Sequence, residues 1–202
     1  MGLAIILIAC PWWPSSLSFL LGLITGSGLS ETAYLIVGNV MVPGFQLLFT
    51  AALTEIKFKK KERIILIIVA AFNVVFEILL FYFAFDTTLR RSQLGELQVP
   101  SIVDVEFRGM LQIYLLATII YILLVGIFIA RESLQSEDKE INLKGKFLLI
   151  GFICFAIGAL MDGILPSSTL TVTLSRIVLI IGSLSFYFGF ILPEWLKNQI
   201  IK

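Results

Sequence analysis

Long apolar stretches separated by short polar connections dominate this chain. Stretches of about 20 mostly apolar residues, the length that crosses a bilayer as a helix, occur six times. They predict membrane spans at roughly 3–25, 33–54, 64–85, 110–130, 147–165 and 173–193. The stretches lack the alternation of barrel strands. We therefore predict an all-α, polytopic transmembrane helical bundle of about six spans, forming a single integral membrane domain over residues 1–202.

Prolines interrupt the first two spans. Pro11-Trp12-Trp13-Pro14 falls near the middle of the first, where the prolines predict a kink. The sequence favours a complete first span and leaves open a re-entrant or interfacial segment, or a start upstream of Met1 that would add a span. Pro43 leaves a backbone carbonyl of the second span without its helical donor, which marks a hinge or a binding site. We expect neither an inverted repeat nor the paired broken helices of many transporters.

The basic residues predict the orientation of the spans. Of the 15 Lys and Arg residues, eleven lie in three segments on one predicted side, and Arg90, Arg91, Arg108 and Arg176 lie toward the other. The three segments are 57–63, 131–146 and the C-terminal tail. By the positive-inside rule, both termini are cytoplasmic and the protein is a multi-pass protein of the cell membrane. Six spans agree with this orientation, because an even number of crossings places both termini on the same side.

Composition excludes several classes of protein. Hydrophobic residues make up 58% and charged residues 14%, whereas soluble domains have about 25% charged residues. This balance excludes an ordinary soluble enzyme and a disordered chain, and a net charge of +1 provides no basic field for nucleic acid. Histidine is absent, and Cys10 and Cys154 lie far apart in apolar runs. The sequence therefore predicts no cofactor, no metal site and no catalytic group.

Ionisable side chains within the spans are the strongest candidates for a functional site, because they are costly in a bilayer. Glu77 and Asn73 lie one turn apart in the third span, while Asp162 and Arg176 lie in the fifth and sixth. With Asn39 of the second span, all lie at similar predicted depths. We predict one polar cluster of Glu77, Asn73, Asn39, Asp162 and Arg176. It serves either a ligand or ion, or only helix packing; Asp162 and Arg176 could also be hydrated at the interface.

Other polar and small residues recur at helical spacing. The polar stripes should face the bundle interior, and the small residues should let the last two helices approach closely. The stripes are Asn39, Pro43, Gln46, Thr50 and Thr54; Tyr114, Thr118 and Tyr121; and Arg176, Ser183 and Tyr187. The small residues are Gly151, Gly158, Ala159, Gly182, Ser185 and Gly189.

Two connections carry further signals. The longest outer segment, 86–109, ends in an alternating pattern over 102–107 that predicts a small hairpin or lid. The basic run 57–63 orients the bundle and should also attract anionic lipid head groups.

The stretch from Tyr187 to Lys197, YFGFILPEWLK, has an aromatic-Gly-Phe run that leads to Pro-x-Trp. It resembles the end of the seven-helix N-terminal membrane regions of prokaryotic histidine kinases, and the last third is similar to uncharacterised multi-pass membrane proteins of prokaryotes. The resemblance implies a sensory, signal-receiving helical region. The sequence departs from that pattern in having six spans and no coiled coil or catalytic domain after Trp195, so we expect any signal to pass to a separate protein.

Three functions remain after these exclusions. The sequence favours a non-enzymatic, sensor-like or partner-binding bundle that contacts the bilayer and either a separate signalling protein or a second copy of the chain. The alternative is a small transporter or an ion or proton pathway that uses Glu77. A lipid-modifying enzyme is least favoured, because the clustered carboxylates or histidines of metal-assisted chemistry are missing.

Overall fold

The computed structural model describes residues 2–97, 105–165 and 168–200. Its helices are α1 (Gly2–Leu7), α2 (Trp13–Thr25), α3 (Glu31–Asn39), α4 (Val42–Lys57), α5 (Glu62–Phe85), α6 (Thr87–Leu89), α7 (Gly109–Leu134), α8 (Lys139–Ile164), α9 (Thr169–Ile191) and α10 (Glu194–Ile200). Short 3-10 turns occupy Cys10–Trp12 and Lys59–Lys61, and a π-helical turn covers Arg90–Leu94. Two short strands, β1 (Gly95–Leu97) and β2 (Val105–Phe107), pair antiparallel.

The predicted class of fold is confirmed. Within the described residues, six helical segments are long and apolar enough to cross a membrane: Gly2–Thr25, Glu31–Lys57, Lys59–Phe85, Gly109–Leu134, Lys139–Ile164 and Leu170–Ile191. These segments coincide with the six predicted spans, so the chain is an all-α, multi-pass membrane protein.

The helix of the fifth span begins two turns before its predicted apolar stretch. The fifth span was predicted from residue 147, but α8 begins at Lys139. Asp138 caps α8, because its side chain accepts hydrogen bonds from the backbone N–H groups of Glu140 and Ile141. Glu140 and Lys144 then pair one turn apart at 2.8 Å. Local capping and charge pairing thus extend the helix beyond its apolar stretch.

The chain divides into two compact units, Met1–Leu115 (unit 1) and Leu116–Lys202 (unit 2). In unit 1, α1 packs on α4, α2 packs on α3, and α5 packs on both α3 and α4. Phe45 and Phe49 of α4 are buried and meet edge to face, with ring centroids 6.4 Å apart. The prediction of one membrane domain over residues 1–202 stays a prediction.

In unit 2, close contact between α8 and α9 depends on the small residues that the sequence singled out. A Cβ placed on Gly151 would lie 2.7 Å from Phe186 Cδ1, and one on Gly189 would lie 2.7 Å from Leu148 Cγ. Carbon atoms do not approach so closely, so a larger residue at either position would force the neighbouring side chain to shift. The predicted close approach of the last two helices is confirmed.

The predicted outer hairpin is present next to α7. Gly95 pairs with Phe107 and Leu97 with Val105. The first part of the alternating pattern, residues 102–104, lies outside the described residues. Gly109 follows the hairpin with a φ of +53°, and a Cβ there would lie 2.5 Å from the backbone oxygen of Ser92. Glycine therefore permits the sharp entry into α7.

Candidate functional site

The first two spans are both interrupted near their middles. The first breaks between Leu7 and Trp13, where a 3-10 turn replaces the α-helix. The second breaks at Val40 and Met41, just before Pro43. Prolines lack the N–H that continues a helix, so the predicted interruption of the first span is confirmed, and the hinge or binding site at Pro43 stays a prediction. Both interruptions lie in adjacent spans of unit 1 and not at corresponding positions of two repeats, so the expectation of no paired broken helices of the transporter kind stays a prediction.

Contacts between the two breaks are close. The 3-10 turn packs on α3, and a Cβ on Gly38 would lie 3.0 Å from Pro14 Cγ and 3.5 Å from the backbone oxygen of Pro11. Next to this contact, the Ser15 and Tyr34 hydroxyl oxygens are 2.6 Å apart. The interruptions of the first two spans therefore meet at one level of unit 1.

A buried polar network lies beside the second break. Asn73 of α5 donates from Nδ2 to the backbone oxygen of Pro43 at 3.2 Å. Its Oδ1 accepts from the Tyr114 hydroxyl at 3.1 Å, and Gln46 also hydrogen-bonds Tyr114. The Tyr114 ring stacks on Phe76 with centroids 3.6 Å apart. These contacts link α4, α5 and the second turn of α7.

The polar stripe of the second span faces inward, as predicted. Its members, Asn39, Pro43, Gln46, Thr50 and Thr54, are all buried. Thr50 and Thr54 donate their hydroxyl hydrogens to backbone oxygens one turn earlier. This local hydrogen bonding satisfies them without a partner on another helix.

Two buried oxygens in unit 1 have no hydrogen-bond partner within the described part of the chain: Asn39 Oδ1 and Glu77 Oε2. Asn39 is 1% exposed and uses its Nδ2 on the Leu35 carbonyl. Buried polar atoms are normally paired. These two oxygens are acceptors, so they suit a proton, an ammonium group or another hydrogen-bond donor.

Asn39 and Glu77 lie at the same level of unit 1. The turn Lys59–Lys61 joins α4 to α5, which pack against each other and run in opposite directions. The contact between Pro43 and Asn73 fixes their register. Asn39 lies one turn before Pro43, and Glu77 lies one turn after Asn73. Both are therefore about 6 Å from that contact, toward the end away from the turn.

Arg176 and Asp162 form an ion pair in unit 2. Their Nη1 and Oδ2 atoms are 3.3 Å apart, with 36% and 22% of the side chains exposed. The hydroxyl oxygen of Ser175, a fully buried residue, lies 3.1 Å from Asp162 Oδ1. Sequence reasoning missed Ser175. Its spacing of seven from Gly182, and of fourteen from Gly189, could have placed it on the packed face of α9.

The five predicted site residues thus fall into two groups. Asn39, Asn73 and Glu77 belong to unit 1, while Asp162 and Arg176 belong to unit 2. Each group is assembled within its own unit. Their union into a single cluster stays a prediction.

The predicted inward stripe of the sixth span is wrong. Ser183 and Tyr187 are exposed, and Ser183 satisfies its hydroxyl on the Leu179 carbonyl at 2.9 Å. The buried face of α9 instead carries Ser175, Gly182, Ser185 and Gly189. Close packing on α8 requires small residues, and this requirement decides the rotation of the helix.

A second charged group, missed by sequence reasoning, stabilises the end of unit 1 that carries the hairpin. Arg90 donates to Glu31 Oε2 from Nε at 3.0 Å and from Nη2 at 2.6 Å, and from Nη1 to the Thr32 hydroxyl at 2.8 Å. Glu31 Oε1 accepts from the backbone N–H of Leu97. These bonds tie the hairpin to the start of α3. Residue spacing gives no signal for a pair 59 positions apart.

The C-terminal helix is held to α8 by charge. Lys197 pairs with Glu140, which also pairs with Lys144. The hydrogen bond to Glu140 raises the pKa of the Lys197 ammonium group. Trp195 is exposed and meets Phe188 edge to face at 6.2 Å. Its position just after the last span suits the head-group layer.

No group of three or more Cys, Asp or Glu side chains that could share a metal ion occurs within residues 2–97, 105–165 and 168–200. Comparisons of the chain with models of protein families, with curated proteins and with solved structures gave no match. The resemblance of the C-terminal third to the membrane regions of histidine kinases therefore stays a prediction.

Proposed function

We propose that this protein is a non-enzymatic, sensor-like membrane bundle that receives a ligand at a polar site in unit 1. We define the unit 1 polar site as Asn39, Gln46, Asn73, Glu77 and Tyr114. The observation that carries the proposal is the pair of unpartnered buried oxygens, Asn39 Oδ1 and Glu77 Oε2, at one level beside two interrupted spans.

The chemistry of the site defines the class of ligand. Asn73 and Tyr114 form a hydrogen bond with each other, so these two side chains shape the site. The atoms left to bind a ligand are the two unpartnered acceptors, Asn39 Oδ1 and Glu77 Oε2. A ligand that carries a positive charge or donates hydrogen bonds would satisfy both at little cost in reorganisation. The resemblance of the C-terminal stretch supports a sensory role, with the signal passing to a separate protein and both termini in the cytoplasm.

The test is native mass spectrometry of the protein extracted gently with its own lipids. We expect the wild type to retain a stoichiometric small cationic molecule or a second protein chain. Glu77→Gln keeps the shape of the side chain and removes its charge, so it should lose the small molecule. Glu55→Gln, at an exposed position of α4, makes the same change elsewhere and should retain it. A wild type that carries neither small molecule nor partner would contradict the proposal.

A proton or cation pathway is the second candidate, and the paired breaks of the first two spans favour it. If Glu77 relays protons, wild-type protein in proteoliposomes should collapse an imposed pH gradient and Glu77→Gln should not. If the protein is a sensor, the pH gradient should persist with both the wild type and the Glu77→Gln variant. The Glu55→Gln variant again controls for the loss of a carboxylate.

A further inference from the structure

An open cavity of about 350 Å³ lies at the basic end of unit 2. The first two turns of α8, the connection before them and the end of α10 form its walls, with Lys139, Lys146, Asn142, Glu137 and Ile200 among the lining residues. Its volume falls within the range of small-molecule sites. We propose that this cavity binds a phosphate group, such as that of an anionic lipid.

The two lysines of the cavity are available for an anion. Lys139 and Lys146 are seven residues apart on α8, so they lie on one face, two turns apart. Neighbouring Lys144 and Lys197 are held by Glu140. Neither Lys139 nor Lys146 has an ion pair among the described residues. An ammonium on a flexible stem suits a phosphate as a point charge.

The cavity is held open by packing that does not involve the lysines. Asn142 donates from Nδ2 to the Leu134 carbonyl at 2.5 Å, which ties α8 to the end of α7. A Cβ on Gly145 would lie 2.9 Å from the backbone nitrogen of Leu134. The close approach of α7 and α8 therefore positions both lysines, and their substitution should leave the fold intact.

The depth of the cavity matches lipid phosphates. Lys146 directly precedes Phe147, where the apolar stretch of α8 begins. Trp195, on the helix that supplies Ile200, is exposed at the end of the last span. Lysine and tryptophan at the ends of spans mark the head-group layer. Basic pockets between helices at this level are suited to anionic head groups.

The test measures phosphatidylglycerol binding to the purified full chain in mild detergent, with phosphatidylcholine as the zwitterionic reference. Lys139→Gln with Lys146→Gln should weaken phosphatidylglycerol binding roughly 30-fold. Arg91→Gln with Arg108→Gln removes two positive charges from residues of unit 1 that do not line the cavity, and this double variant should change binding less than about twofold. Glu137→Gln removes the opposing carboxylate and should strengthen binding.

Inorganic phosphate as a competitor distinguishes the two sources of the phosphate group. If millimolar phosphate displaces the lipid, the cavity recognises the free anion; if it does not, the lipid's glycerol and chains are required. Both outcomes support a phosphate site. Equal losses in the two double variants, or no loss in Lys139→Gln with Lys146→Gln, would overturn the proposal. Unchanged melting temperatures would show that all variants are folded.

Discussion

Asn73 and Tyr114 are the residues whose chemistry depends most on their partners. The Asn73 side chain bridges the Pro43 carbonyl and the Tyr114 hydroxyl, and Asn73 is 2% exposed. With little water at this depth, each group relies on the others for its hydrogen bonds. The stability of unit 1 should therefore respond to the loss of a single hydroxyl.

We expect Tyr114→Phe to destabilise the protein by about 1 kcal/mol, because the change leaves Asn73 Oδ1 without its donor while the ring can still stack on Phe76. Denaturation in detergent with increasing sodium dodecyl sulfate would measure the loss. Tyr187→Phe, at an exposed position, is the matched control and should have almost no effect. Equal losses in the two variants would contradict a role for the Tyr114 hydroxyl.

The predicted union of all five site residues has a separate test at the same scale. If Glu77 and Arg176 belong to one cluster, Glu77→Gln and Arg176→Gln should combine non-additively, with a coupling of about 0.5–3 kcal/mol in a double-mutant cycle. Asp162→Asn with Arg176→Gln supplies the positive control, since that ion pair is present in unit 2. Strictly additive losses of stability for the Glu77 and Arg176 variants would show that these two residues belong to separate groups.

At the scale of elements, the interruption of helices characterises unit 1 and their close packing characterises unit 2. In unit 1, the first two spans break next to each other. In unit 2, the helices approach so closely that a Cβ added at Gly126, Gly151, Gly158 or Gly189 would force a neighbouring side chain to shift. Breaks suit a site that must admit a ligand, whereas tight glycine contacts suit a rigid support.

Gly126→Ala should destabilise unit 2 by about 1–3 kcal/mol. A Cβ there would lie 2.2 Å from Phe152 Cγ, and Phe152 is fully buried, so its ring would have to move. Thermal unfolding followed by circular dichroism would report the change. Gly163→Ala is the control, because nothing lies within 4 Å of that position. We expect this control to be neutral or slightly stabilising, and a similar loss in both would disprove the packing argument.

At the scale of the whole molecule, the number of membrane crossings determines whether the two termini lie on the same side of the membrane. Six spans place both termini on one side, whereas a re-entrant first segment would separate them. The basic residues predict that this shared side is the cytoplasm. Orientation is thus a property of the entire chain that neither unit reveals by itself.

Single cysteines at positions 60, 91 and 198, introduced after replacement of Cys10 and Cys154, would test this topology. Membrane-impermeant thiol labelling of intact cells should reach position 91 only, and inverted vesicles should expose positions 60 and 198. An N-terminal tag should be protected in intact cells. A tag that is accessible from outside, with position 198 still protected, would show that the first segment does not cross.

The sequence predicted the positions of the helices better than it predicted which face of each helix is buried. The inward stripe of the second span was predicted correctly because four polar residues and a proline at helical spacing leave only one face to bury. The stripe of the sixth span was wrong because Ser183 can bond to its own helix and Tyr187 can remain exposed. Partners such as Ser175 and Arg90 were missed because their bonds join residues on different elements.

By itself, the sequence determined that the chain is a membrane protein with six helical spans. This information is local: a continuous apolar stretch must satisfy its backbone within its own helix where water is absent. Only the tertiary structure decided that the two breaks meet, that Asn73 bonds Tyr114, and that Asn39 and Glu77 share a level. Those relations depend on the rotation and register of neighbouring helices. Side-chain volume at the contacts, down to single glycines, sets both.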